Sequence, residues 1–86
     1  MNCAYKISER ILTTTDKNLA IGNAYLIVDT YFHESSIQIL NTITDTYLKF
    51  TYVDNKGEDH CSYIYPEGLQ RSMEVYKLIL PNIEFE

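Results

Sequence analysis

The chain has 86 residues, a mass of 10.0 kDa and a net charge of −5, from seven Lys+Arg against twelve Asp+Glu. At this length only roughly 60% of the unfolded surface can be buried, so one domain over residues 1–86 with a thin core is expected, and a large cleft with its own lid is not. The hydrophobic fraction of 45% and charged fraction of 22% are those of a folded chain, and no apolar run approaches the ~18 residues of a membrane helix.

Residues 1–6 turn polar at once and lack the apolar segment of a secretory signal. A cytoplasmic chain with Cys3 and Cys61 reduced is therefore expected. Val, Ile, Tyr, Phe and Thr make up 32 of the 86 residues, a composition that favours strands. Residues 5–15 carry Tyr5, Ile7 and Ile11 in near-alternation, while Ile7, Ile11 and Leu12 also fit a helical spacing. The β-branched run Thr13-Thr14-Thr15 disfavours a helical continuation, so a strand is expected. Asp16-Lys17-Asn18 and Gly22-Asn23 read as turns.

Ala24 to Phe32 is apolar on both faces and reads as a central strand. His33-Glu34-Ser35-Ser36 is a hairpin loop, and a strand resumes from Ser36 to Ile43. Tyr47 to Val53 alternates, and Asp54-Asn55-Lys56-Gly57 has the Asp and Gly positions of a type I turn followed by a left-handed residue. The return strand, Glu58 to Tyr65, then pairs Tyr52 with His60, Phe50 with Ser62 and Leu48 with Ile64. On the other face it pairs Thr51 with Cys61, Lys49 with Tyr63 and Tyr47 with Tyr65.

Pro66 suits the first position of a helix and Glu67 its positive end. Leu69, Met73, Tyr76 and Leu80 recur at helical spacing, so a C-terminal helix stopped by Pro81 is predicted. Residues 82–86 alternate and read as a short tail or edge strand. The expected fold class is α+β: a small antiparallel meander of four to five strands packed by one C-terminal helix.

The chemistry-bearing residues form no recognised catalytic pattern. Cys3, His33, His60 and Cys61 lack the close paired spacing of a zinc site, and His60 and Cys61 are adjacent on one strand, so their side chains diverge. Asp54, Glu58 and Asp59 lack the residue order of a calcium loop. Asp29 and Glu34 read as solvated carboxylates on different sides of a strand. The predicted catalytic residues, metal ligands and cofactors are therefore none.

Residues 23–65 carry six acids against two lysines, the most acidic part of the chain. That argues against direct nucleic-acid binding, which needs Lys and Arg to displace counterions. Tyrosine supplies contact area at low entropic cost, and an acidic surface steers toward basic partners. Tyr63, Tyr65, Asp54, Glu58 and Asp59 are the candidate partner-binding residues. In size and acidity the chain is similar to small phage and mobile-element proteins that block host defence enzymes, and to immunity proteins for nuclease toxins. That likeness implies a non-enzymatic inhibitor or antidote on a basic surface of a nucleic-acid-handling protein. The alternative is a homodimer or larger accessory assembly through the open sheet face or the Ile83–Phe85 edge. A small enzyme or metal-binding domain ranks last.

Overall fold

A computed structural model of the chain describes residues 6–68 and 72–79. It contains six strands: β1 Lys6–Ile11, β2 Ala24–Asp29, β3 Glu34–Ile43, β4 Leu48–Val53, β5 Asp59–Ile64 and β6 Met73–Ile79. They form one antiparallel sheet in the order β1-β6-β2-β3-β4-β5. No helix occurs among the described residues, which includes none long and apolar enough to cross a membrane.

The sheet is therefore all-β, and the predicted α+β class with its C-terminal helix is corrected. Met73 and Tyr76, two members of the helical stripe, lie in β6, which pairs with β1 on one side and β2 on the other. The segment Met73–Ile79 alternates as well as it repeats at helical spacing: Met73, Val75 and Lys77 share one face, and Glu74, Tyr76 and Leu78 the other. Two strand edges stand ready to take it, and Val75, Tyr76 and Ile79 are strand formers. Pro66 and Glu67 belong to a turn, closed by the Gly68 amide donating to the Tyr65 carbonyl at 3.0 Å. Leu69, Leu80 and the 82–86 tail lie outside the described residues, as does Cys3.

Other expectations hold. Residues 6–11 are a strand, β2 is interior, and the β4–β5 register pairs Tyr52 with His60, Thr51 with Cys61, Phe50 with Ser62, Lys49 with Tyr63 and Leu48 with Ile64. β2 to β5 run as a meander, and β6 returns to sit between β1 and β2.

The inner face of the sheet carries the core: Ile11, Tyr25, Ile27, Leu40, Leu48, Phe50, Ile64 and Val75. Instead of a helix, the 12–23 segment covers part of this face, with Leu19 packed on the core. It is pinned by polar contacts. The Tyr25 hydroxyl donates to the Asn18 carbonyl at 2.7 Å and accepts from the Ala20 amide at 2.8 Å. Thr14 donates to the Asp45 carbonyl at 3.2 Å, and the Lys77 Nζ donates to Asn18 Oδ1 at 3.1 Å. The Tyr25 ring meets Phe50 edge-on at 5.8 Å, and burial pushes the Tyr25 hydroxyl above its ordinary pKa. Its hydroxyl is partnered while its ring fills the core, as a buried tyrosine requires.

Candidate functional site: an acidic end of the sheet

Antiparallel pairing puts the β2–β3 and β4–β5 turns at the same end of the sheet, on the order of 10 Å apart given the usual spacing of strands. The β4–β5 turn is built by Asp54. Its Oδ1 accepts the amides of Lys56 at 2.8 Å and Glu58 at 2.9 Å, and its Oδ2 lies 2.7 Å from His60 Nε2. The His60 hydrogen bond first, and the Glu58 amide after it, hold the Asp54 carboxyl below its ordinary value. Gly57 adopts φ 82°, the left-handed conformation that glycine takes without a Cβ penalty. His60 also stacks on Tyr52, with ring centroids 5.1 Å apart.

Asp54, Glu58 and His60 bring potential ligand atoms within 4.8 Å of one another. The contacts of Asp54 are, however, already committed to the turn and to His60, so this cluster is satisfied internally. Glu58 and Asp59 are exposed beside it.

Tyr63 and Tyr65 do not join the acidic residues. They lie at the opposite end of β5, where Tyr47 meets Tyr63 at 5.5 Å and Tyr65 at 5.7 Å. Lys49 Nζ stands 5.8 Å from the Tyr63 ring centroid. The five sequence-predicted residues therefore divide into an acidic turn and an aromatic cluster.

The β2–β3 turn contributes residues that sequence reasoning missed. β2 ends at Asp29, not Phe32, because the Asp29 Oδ1 accepts the amides of Tyr31 at 3.0 Å and Phe32 at 3.2 Å. Aspartate as an acceptor for amides two and three residues on is a turn signal that was present in the sequence. His33 then takes φ 55° and reverses the chain. The reversal exposes Tyr31 and Phe32, packed edge-on at 4.8 Å. It also makes Asp29 and Glu34 direct cross-strand partners rather than residues on different sides of one strand. One end of the sheet thus gathers Asp29, Glu34, Asp54, Glu58 and Asp59, with Lys56 the one Lys or Arg in the two turns.

The outer face is largely apolar. Ile37, Ile39, Val53 and Tyr63 are exposed on it, with Leu26 and Val28 half-buried. An Arg10–Glu74 ion pair at 3.5 Å and a hydrogen bond from the Tyr76 hydroxyl to Glu74 at 2.8 Å occupy its β1–β6 side. Cys61 is a free, exposed thiol on the same face. Comparison with protein-family models, curated proteins and solved structures finds no match.

Proposed function

We propose that the chain is a non-enzymatic protein-binding module, acting in the cytoplasm, that presents the acidic end of its sheet to a basic surface. A nucleic-acid-handling protein is the partner class, with inhibition as the outcome. The observation that carries this reading is the gathering of five carboxylates in two neighbouring turns and the strand ends that flank them, beside the exposed Tyr31–Phe32 pair. Clustered charge of one sign accelerates encounter with the opposite sign, and exposed aromatic side chains supply contact area once the partners meet.

The test is capture by the tagged chain from cells that produce it, wild type beside a Glu58→Lys/Asp59→Lys double variant. Both side chains are exposed, and neither makes a hydrogen bond or ion pair among the described residues, so the melting temperature should move by no more than about 2 °C, in keeping with the small effect of surface substitutions. Loss of a basic protein from the captured set is expected. Undiminished capture by the variant overturns the reading.

A second reading is favoured by the outer face, where Ile37, Ile39, Val53 and Tyr63 are exposed together. Here the partner is another copy of the chain. Light scattering separates the two: a mass near twice 10.0 kDa supports self-association, and a monomer removes it.

A further inference from the structure

The inner face is covered at one end by the 12–23 segment. At the acidic end it opens into a recess of about 370 Å³ lined by Ile27, Asp29, Glu34, Gln38, Tyr52 and Met73, with serine hydroxyls between them. That volume is within the usual range for small-ligand sites.

Two features of this recess favour a cationic hydrogen-bond donor. Gln38 is only 4% exposed. Its Nε2 donates to Ser36 Oγ at 2.9 Å, but its buried Oε1 meets no donor among the described residues. Buried amide oxygens are otherwise almost always hydrogen-bonded. Separately, Asp29 and Glu34 oppose each other across β2 and β3. Like charges at directly opposed positions destabilise a sheet. Neither carboxylate has an ion-pair partner among the described residues. A water molecule could satisfy the amide oxygen but would leave the like charges of Glu34 and of Asp29, whose Oδ1 is held by the turn amides, uncompensated at opposed positions. A hydrogen-bond-donating cation answers both needs, and the side chains of Ile27, Met73 and Tyr52 offer an apolar bed for an alkyl stem.

We infer that this recess is a binding site for an alkylguanidinium or alkylammonium group, which donates to Gln38 Oε1 and is neutralised by Asp29 and Glu34. Such a group arrives either as a free amine or as the side chain of an arginine or lysine on a protein. The second source would make the recess the point where the acidic end grips its partner, and only that part rests on the reading proposed above.

Calorimetric titration of the full chain with agmatine, and separately with capped Gly-Arg-Gly, tests the site. Saturable one-site binding is expected. Gln38→Leu should weaken it about tenfold, as loss of a buried hydrogen bond to a charged donor does. Glu34→Gln should weaken it about twofold, since its carboxylate stands at an exposed rim. Glu67→Gln, in a different turn, should leave it unchanged.

Tighter binding of the tripeptide assigns the recess to a protein side chain, and tighter binding of agmatine assigns it to a free amine. If Gln38→Leu fails to fold, Glu34→Gln and the volume-conserving Gln38→Met carry the test. Absence of saturable binding of both probes, or binding indifferent to Gln38 and Glu34, overturns the inference. Capture in the preceding experiment depends on Glu58 and Asp59, so the two readings fall separately.

Discussion

One carboxylate oxygen of Asp54 closes the β4–β5 turn and the other holds His60. Both sets of contacts favour the ionised acid, which is why its pKa lies below the ordinary value. A group whose pKa is depressed by folding contributes stability above its unfolded value, about 3.9 for aspartate, and loses it as pH falls through the folded value. The turn is therefore expected to loosen only in acid. A carboxyl NMR titration should place the Asp54 midpoint below 3.9 or so, the usual aspartate value, and Asp54→Asn should remove that acid-dependent step from the hairpin's unfolding. A midpoint at or above the ordinary aspartate value would contradict this account of the turn. At the same scale, the part of the site hidden from sequence reading rests on one side chain. Asp29 falls inside the apolar alternation that runs from Ala24 to Phe32, and a two-sided apolar strand can absorb a single acid. Its turn-building role depends on hydrogen bonds to Tyr31 and Phe32 that alternation does not encode.

The hairpin β4–β5 and the strand β6 show why some elements are legible and others are not. In the hairpin, local turn chemistry and alternation agree, and Asp54 with Gly57 fixes the register of every pair from Val53–Asp59 to Leu48–Ile64. In β6 two periodicities compete within seven residues, and a preceding proline strengthens the helical one. Long-range pairing decides the matter, because β1 and β2 are distant in sequence and their open edges are invisible to local reading. Strand status for Met73–Ile79 has a direct consequence in amide exchange. As an interior strand, β6 should show protection at successive amides, whereas β5, an edge strand paired only with β4, should alternate between protected and fast-exchanging amides. Alternation in β6, or carbon shifts of helical sign across residues 73–79, would contradict the six-strand order.

At the scale of the whole molecule, a net charge of −5 is modest, but its placement is not even. The inner face is used for the core, the outer face is mostly apolar, and five of the six acids between Ala24 and Ile64 collect at the end of the sheet that carries the β2–β3 and β4–β5 turns. A patch of this kind acts over roughly one Debye length, about 10 Å at 0.1 M salt, so salt should weaken association at the acidic end more than association through the outer face. The acidic end and the outer face also predict different footprints on the same chain. The most direct measurement is amide-resolved hydrogen exchange of the chain alone and in complex with the basic protein it captures. Protection concentrated at residues 30–34 and 54–59 is the result predicted. Protection confined to the outer-face strands around Leu26, Ile37, Ile39 and Thr51, with both turns unchanged, would contradict it.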